Sequence, residues 1–365
     1  MIMKKLPEIC EIKTGKKDAN HANSSGKYRF YTCASQYSMC DTFSFSGESV
    51  IVPGNGDIGL VFYYNGDFEA YQRTYVLSNI KIFPKYLYYH LVYKWRHINS
   101  DKQYGSTVRY VRMSNFTSYE VPVPTLDEQK RIVARIEELF SELDNGVETL
   151  RKTKQQLVVY RQAVLKQAFS QVDQYVPLGM ISVSRLGKML DKEKNIGVPR
   201  KYLRNINVRW FSFDMSDLLE MRIEDDEVDK YSVVCGDLVI CEGGEPGRCA
   251  VWDFEESMFY QKALHRARFT DGSNPKFYMY YLWFAAQTGK LNEYFTGMGI
   301  KHLTGQSLVK VPVPTIVRNE QDKTVLDIES RLSMCDSIER TVDTALQQAE
   351  AMRHSILKQA FEGKS

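Results

Sequence analysis

Basic, amide and aromatic side chains are concentrated in a few short runs of this chain. The runs are YQRTY (Tyr71 to Tyr75), RYVR (Arg109 to Arg112), VPRKYLRNINVRW (Val198 to Trp210), KALHRAR (Lys262 to Arg268) and IKH (Ile300 to His302). Arginine and lysine neutralise phosphates and hydrogen-bond guanine edges, whereas glutamine and asparagine read adenine edges. Aromatic rings stack on bases or contact the thymine methyl group. These residue types predict contact with a nucleic acid.

Motifs that would support catalysis are missing from the sequence. The six histidines form no H-E-x-x-H pattern, and no serine lies in G-x-S-x-G. A methyltransferase acting on a base amino group would carry an Asn/Asp-Pro-Pro-aromatic motif, and the chain contains no Pro-Pro pair. The glycine clusters PGNGDIG (Pro53 to Gly59) and EGGEPGR (Glu242 to Arg248) match no phosphate-loop pattern, which predicts hairpin turns instead. A catalytic role is disfavoured, and no cofactor is expected in this chain.

The sequence contains an internal repeat. VPVPT (Val121 to Thr125) returns at Val311 to Thr315, Glu128-Gln129 returns as Glu320-Gln321, and LKQAF (Leu165 to Phe169) returns at Leu357 to Phe361. Weaker matches align Gln72-Arg73 with Gln261-Lys262, and GSTVRY (Gly105 to Tyr110) with GMGIKH (Gly297 to His302). Because the matches keep one order along the chain, they predict two copies of a single structural unit.

Nine side chains are the candidate DNA contacts. They are Gln72, Arg73, Arg109, Arg112, Arg248, Lys262, Arg266, Lys301 and His302. For any one of them, an ordinary solvated face of a strand explains the sequence at least equally well. The repeat places Arg73 opposite Lys262, and it places Arg109 opposite Lys301. Recurrence at matching places favours a shared role in binding for these two pairs.

Each copy begins with a mixed α/β region that must position these side chains. Short strands are predicted at Tyr28 to Cys33, Ser49 to Pro53 and Gly59 to Tyr64, and again at Tyr231 to Val234, Leu238 to Cys241 and Cys249 to Phe254. An aromatic helix follows in each copy, at Pro84 to His97 and at Pro275 to Ala286. The predicted fold class is α+β, with two domains in tandem.

A long helix is predicted to close each copy. The sequence from Thr125 to Glu128 forms a capping box that predicts a helix start at Leu126, and Asn319 with Asp322 offers an equivalent cap near Glu320. Each helix carries one narrow apolar stripe, and both run for the same length. Since such a helix needs a partner along its whole extent, we predict an antiparallel coiled coil in a dumbbell-shaped molecule. The alternative is that each helix packs on its own domain.

Domain boundaries follow from this pattern. The predicted segments are a first mixed α/β domain at 1–124, a long helix at 125–170, a second domain at 171–315 and a second long helix at 316–365. With 365 residues and 43% apolar content, the chain can bury two hydrophobic cores. Its net charge of +3 is too small to indicate a nucleic acid by itself.

The cysteines and the hydropathy pattern bear on the cellular compartment. The seven cysteines include no CxxC pair, which predicts reduced thiols rather than a disulfide framework or a zinc site. No apolar run reaches the length of a membrane-spanning helix, and the N-terminus has no uninterrupted hydrophobic region. We therefore expect a soluble cytoplasmic protein with no membrane partner.

The two-copy organisation, the VPVPT junctions, the LKQAF helix ends and the GDLVICEGGEPGR and YQKALHRAR segments resemble the DNA-specificity subunits of type I restriction-modification systems. The resemblance covers nearly the whole chain. It implies two target-recognition domains, each reading one half of a bipartite site in double-stranded DNA, with the paired helices setting the gap. Two sequence departures are the insertion Val317-Arg318 at the second junction and the loose match of PGNGDIG to GGEPGR.

The same resemblance implies that the chemistry belongs to other polypeptides. Two methyltransferase subunits would bind this chain and use S-adenosylmethionine, and ATP-dependent restriction subunits would join them. Two other classes remain open at this point. A coiled-coil adaptor would use its domains on protein and leave no DNA footprint, whereas a stand-alone DNA-modifying enzyme would methylate DNA without partner subunits.

Overall fold

The computed structural model describes residues 2–100, 103–105, 109–170, 172–191, 193 and 195–363. The chain divides into two compact units. The first unit comprises Met1–Arg151 and Asp343–Ser365, and the second comprises Lys152–Val342. Each unit is a mixed structure of helices and sheets, which confirms the predicted fold class.

Among its described residues, the first unit contains nine strands and three short or medium helices before its long helix. The strands are β1 (Ile2–Lys5), β2 (Glu11–Thr14), β3 (Tyr28–Tyr31), β4 (Ser38–Cys40), β5 (Glu48–Pro53), β6 (Phe62–Asn65), β7 (Phe68–Ala70), β8 (Thr74–Ser78) and β9 (Glu120–Val123). The helices are α1 (Leu6–Ile9), α2 (Pro84–Asn99), α3 (Met113–Thr117) and the long α4 (Leu126–Phe169).

The second unit repeats this order. Its strands are β10 (Tyr175–Pro177), β11 (Ser182–Leu186), β12 (Val198–Leu203), β13 (Leu219–Ile223), β14 (Ser232–Val233), β15 (Leu238–Cys241), β16 (Cys249–Val251), β17 (Met258–Tyr260), β18 (Leu264–Phe269) and β19 (Pro312–Pro314). Its helices are α5 (Val228–Tyr231), α6 (Pro275–Gln287), α7 (Gly305–Leu308) and the long α8 (Arg318–Glu362).

The sheets of the two units have matching strand orders, except that the second unit adds β14 at the edge of one sheet. In the first unit the sheets run β2-β8-β5-β6, β4-β3-β7 and β1-β9. In the second unit they run β11-β18-β15-β16, β13-β12-β17-β14 and β10-β19. The central strands β5 and β15 contain the apolar runs Val50–Pro53 and Leu238–Cys241, and a strand covered on both faces explains such a run. The duplication predicted from sequence is therefore confirmed at the level of topology.

The starts of the two long helices differ in their agreement with the sequence prediction. Helix α4 begins at Leu126 as predicted, and the amide of Glu128 donates to the Thr125 hydroxyl at 3.4 Å. The predicted cap of α8 by Asn319 is wrong, because that helix already begins at Arg318. Asp322 instead accepts a hydrogen bond from the Asn274 side chain at 2.6 Å, which ties α8 to the start of α6.

The repeated Glu-Gln pair places a buried amide at the start of each long helix. Gln129 accepts from the Phe83 amide at 2.8 Å and donates to the Pro124 carbonyl at 2.9 Å. Gln321 accepts from the Asn274 amide at 2.6 Å in the same way. Each glutamine therefore fastens its long helix to the first turn of the aromatic helix in that unit, which is α2 or α6.

Replacing Gln129 with alanine should lower the free energy of unfolding by about 1–3 kcal/mol, because the Phe83 amide and the Pro124 carbonyl lose a buried partner. Urea denaturation followed by circular dichroism measures the change. Lys130→Ala is the matched control, since Lys130 is exposed on the same turn and its loss should cost less than about 0.5 kcal/mol. Equal unfolding midpoints for the two variants would contradict this role of Gln129.

Helices α4 and α8 pack against each other within the first unit. Arg353 forms an ion pair with Asp144, and its guanidinium lies 4.9 Å from the centre of the Phe140 ring. Closer to the start of α4, the buried side chain of Ile136 packs with Leu357. Since residues earlier in α4 meet residues later in α8, the two helices run antiparallel.

The same pairing recurs within the second unit. Arg161 donates to Asp336 at 2.7 Å and to Glu339 at 2.9 Å. Further along α4, Gln167 accepts from Arg331 at 3.0 Å. The direction is again antiparallel, so the predicted pairing of the long helices is confirmed in both units.

The repeated LKQAF sequence anchors the end of each long helix on an aromatic helix. In the second unit, Phe169 at the end of α4 is 2% exposed, and its ring lies 5.4 Å from the ring of Phe277 on α6. In the first unit, Phe361 at the end of α8 lies 5.2 Å from His90 and 5.4 Å from Tyr86, both on α2. Burial lowers the pKa of His90 to about 4, so this imidazole packs as a neutral ring.

Candidate nucleic-acid interface

Three backbone segments meet in the first unit to form what we call the first loop cluster. It consists of residues 54–56, 72–73 and 109–112. The amide of Gly54 donates to the Arg73 carbonyl at 2.8 Å, and the amide of Val111 donates to the Gly54 carbonyl at 2.8 Å. The amide of Gly56 donates to the Arg109 carbonyl at 3.1 Å. These bonds fix the glycine turn between the other two segments.

Glycine is required at position 54 by the close approach of this turn to its neighbour. A Cβ atom at Gly54 would lie 2.3 Å from the Arg73 carbonyl oxygen, a distance that real side chains do not tolerate. The turn connects the antiparallel strands β5 and β6, which confirms the predicted hairpin. A groove of 450 Å³ beside it is lined by Gln72, Arg73 and Arg112, among other residues.

The second unit builds an equivalent second loop cluster from residues 242–244, 262–263 and 301–304. The amide of Glu242 donates to the Ala263 carbonyl at 3.0 Å, and the amide of Leu303 donates to the Glu242 carbonyl at 2.7 Å. The turn connects antiparallel β15 and β16, again as predicted. A Cβ atom at Gly243 would lie 3.0 Å from Nδ1 of His302, so the glycine leaves room for this imidazole.

Hydrogen bonds align the repeat at the third segment of each cluster. Tyr104 and Tyr110 exchange backbone hydrogen bonds of 3.0 and 2.9 Å, and Thr296 and His302 exchange bonds of 2.8 and 2.9 Å. Arg109 directly precedes Tyr110 in the first unit, and Lys301 directly precedes His302 in the second. The predicted equivalence of Arg109 and Lys301 is confirmed. Residues 106–108 of the GSTVRY stretch lie outside the described residues.

The predicted equivalence of Arg73 and Lys262 is wrong by one position. Tyr71 forms a parallel bridge with Lys17, and Gln261 forms the corresponding bridge with Lys188. The next residues, Gln72 and Lys262, are therefore the equivalent pair, and the counterpart of Arg73 is Ala263. The sequence match was misleading because backbone pairing, rather than the repeated glutamine, sets the register of this turn.

The clusters bring seven of the nine candidate side chains to the surface. Gln72, Arg73, Arg109 and Arg112 are exposed in the first cluster, as are Lys262, Lys301 and His302 in the second. The backbone hydrogen bonds of their segments hold these side chains on ordered loops. A set of exposed cations and amides on ordered loops suits both phosphate contact and base readout.

Arg112 is exposed but already engaged with aromatic residues. Its guanidinium lies 4.0 Å from the centre of the Tyr104 ring and donates to the Tyr110 hydroxyl at 2.9 Å. That hydrogen bond raises the pKa of Arg112 above its ordinary value. The contacts connect the two ends of the loop that carries Arg109, so Arg112 positions this loop. The sequence run RYVR did not reveal the stack, because Tyr104 lies outside it.

Two further candidates have structural roles that argue against DNA contact. Arg266 is 5% exposed in the middle of β18, where it donates to the Ser232 carbonyl at 2.6 Å. Arg248 donates to Glu245 at 2.8 Å and to the Asn205 carbonyl at 3.0 Å, inside the glycine turn. The sequence placed Arg266 in a basic run and Arg248 at the end of a glycine cluster, but internal hydrogen bonds engage both guanidinium groups.

The sequence interpretation overlooked two apolar side chains beside the second cluster. Met298 and Ile300, on the loop before Lys301, are 110% and 73% exposed. A sequence signal was present, because glycines at 297 and 299 alternate with these apolar residues.

Neither a metal centre nor a membrane segment is evident in the part of the chain that the structure describes. No group of His, Cys, Asp and Glu residues among the described ones is placed to hold a metal ion. Within the same ranges, every helix is too short or too polar to cross a lipid bilayer.

Comparison with known proteins gives consistent matches along the chain. Residues 1–157 match the family model of the type I restriction modification DNA specificity domain. The chain is 26% identical to the type I restriction enzyme EcoDI specificity subunit of Escherichia coli, and the alignment covers 98% of this chain and 87% of that protein.

Solved structures show the same fold. The HsdS subunit from Thermoanaerobacter tengcongensis superimposes with a TM-score of 0.65 at 15% identity, covering 99% of this chain and 96% of that one. A second solved structure concerns complex assembly and conformational transition of the type I R-M system. One of its chains gives a TM-score of 0.74 at 15% identity, and the alignment covers 99% of this chain and 97% of that one.

Proposed function

This chain belongs to the family of type I restriction-modification specificity subunits, and we propose that each of its loop clusters reads one half of a bipartite DNA site. Its role is to recognise DNA and is not catalytic. The observation that supports the proposal most strongly is the duplicated cluster geometry, with Arg109 and Lys301 exposed at equivalent positions. Two copies of one reading element suit a site that has two separated halves.

Within each cluster, the exposed side chains contribute both to affinity for DNA and to readout of its sequence. Gln72, Arg73 and Arg109 face one half-site, and Lys262, Lys301 and His302 face the other. Arginine, lysine and glutamine in the major groove distinguish guanine from adenine, and contacts to phosphates supply affinity that falls as salt rises. Arg112 acts through the loop it positions.

The long helices serve as spacer and docking surface in this proposal. Segments 125–170 and 316–365 set the gap between the two half-sites and dock two methyltransferase subunits, while 1–124 and 171–315 are the recognition domains. S-adenosylmethionine and ATP belong to the methyltransferase and restriction subunits, and this chain binds no cofactor. The whole complex works in the cytoplasm, where it meets double-stranded DNA.

Replacing Lys301 with alanine should relax discrimination in one half-site by about 1–3 kcal/mol, and Arg109→Ala should do the same in the other half-site. The measurement is binding of the chain, assembled with its modification subunits, to duplexes that carry single base changes in either half. Lys310→Ala is the control, because Lys310 is exposed outside both clusters. Equal weakening across all duplexes would show that the replaced side chain contacts phosphate instead.

A further inference from the structure

The loop tip beside the second cluster differs chemically from the rest of the interface. We propose that Met298 and Ile300 recognise thymine in the second half-site by contact with its 5-methyl group. The inference rests on the proposed function, because it requires the second cluster to face DNA. It adds an apolar, methyl-specific contact to the hydrogen-bonding readout described above.

The backbone presents these two side chains at the outermost point of the loop. Thr296 and His302 close its neck with hydrogen bonds of 2.8 and 2.9 Å. Gly297 has a φ of +100°, a conformation that L side chains rarely adopt, and it turns the chain at the tip. A Cβ at Gly299 would meet nothing within 4 Å, so the backbone between Met298 and Ile300 is open to an approaching partner.

Charge and position favour DNA as that partner. Lys301 directly follows the tip, and its ammonium lies 5.9 Å from the centre of the Phe295 ring at the loop's other end. The tip is continuous with the second loop cluster through His302, whose ring lies beside Gly243. An apolar tip directly followed by a lysine on a reading loop suits a polyanion that also offers apolar groups in its groove.

Chemistry narrows the target to thymine. Isoleucine has no side-chain hydrogen-bonding group, and the methionine thioether is only a weak acceptor. Neither side chain can therefore distinguish bases by the donor and acceptor pattern of the groove. Thymine is the base that presents a methyl group in the major groove, where apolar side chains contact it. Burying one methyl group of this kind is worth about fourfold in affinity.

Replacing thymine with deoxyuridine tests the contact, since it removes the methyl group and keeps every hydrogen-bonding atom. The chain assembled with its modification subunits is titrated with its recognised duplex and with duplexes carrying deoxyuridine in one half-site only. We expect deoxyuridine in the second half-site to weaken binding by about fourfold for each contacted methyl group. The double variant Met298→Ala, Ile300→Ala should lose this sensitivity, while Arg109→Ala should keep it.

Each outcome bears on the inference. An equal loss on deoxyuridine for the double variant and the natural chain would overturn it, as would no loss for the natural chain. An increase in the fluorescence of 2-aminopurine placed beside the second half-site, together with insensitivity to deoxyuridine, would also overturn it. That result would indicate that the side chains insert between bases. Failure of the natural chain to prefer any sequence would instead reject the proposed function. Thermal unfolding of the double variant checks folding, which should not change because both side chains are exposed.

Discussion

Removing one heptad from each long helix should shorten the preferred gap between the two DNA half-sites by about one to three base pairs. The deletion takes residues 148–154 from α4 and the equivalent residues 340–346 from α8. Seven residues span about 10 Å of helix, and a heptad deletion keeps each apolar stripe facing its partner. About 10 Å corresponds to about three base pairs of DNA, which is the upper figure, and bending of the DNA absorbs part of the change, which gives the lower one. Binding to duplexes of graded spacer length measures the shift.

A single deletion provides the control for that experiment. Removing 148–154 alone shortens α4 and leaves α8 at full length. Because the two helices then differ in length, Arg161 cannot pair with Asp336 while Asp144 pairs with Arg353. We expect this variant to be less stable than the double deletion and to bind neither spacer well. If the double deletion binds the original spacer best, the helices do not set the gap.

Replacing Phe169 with alanine should lower the free energy of unfolding by about 3–5 kcal/mol, the usual cost of deleting a buried phenylalanine side chain. The ring is fully enclosed at the end of α4, where it contacts Phe277, Tyr281 and Phe284 of α6. Its loss leaves a cavity where the long helix meets the second unit's aromatic helix. Denaturant unfolding monitored by tryptophan fluorescence measures the change, with Trp283 on α6 as a nearby reporter.

The matched variants for Phe169 lie on the same two helices. Phe361→Ala removes the equivalent ring at the end of α8 and should cost less, because Phe361 is only partly buried. Val159→Ala changes an α4 side chain that is 66% exposed and should change stability by less than about 0.5 kcal/mol. A Phe169→Ala variant no less stable than Val159→Ala would show that LKQAF is not an anchor.

The helical framework could be predicted from sequence because its determinants are local. Thr125 caps α4 within one turn, and the apolar stripe from Ile132 onward repeats regularly enough to predict a paired helix. The repeated Glu-Gln and LKQAF sequences indicated duplication, although their reasons appeared only in three dimensions. Gln129 and Phe361 contact α2, which is distant from both in sequence.

The site was harder to predict because its geometry depends on contacts between distant segments. Arg266 reads as one more cation in a basic run, yet β18 is covered on both faces and its guanidinium is bound internally. Arg73 and Lys262 match in sequence, but the bridges of Tyr71 and Gln261 shift the register by one residue. Exposure at Met298 likewise depends on how the loop projects, although the alternating glycines at 297 and 299 were a signal of the turn.

Methylation mapping is the decisive test of whether two equivalent clusters read two separated half-sites. Single-molecule sequencing would locate methylated bases in the DNA of cells that express this chain with its modification subunits. We expect one motif made of two short specific halves separated by a constant unspecified gap, with methylation absent when this chain is omitted. A single uninterrupted motif, or methylation that persists without this chain, would contradict it.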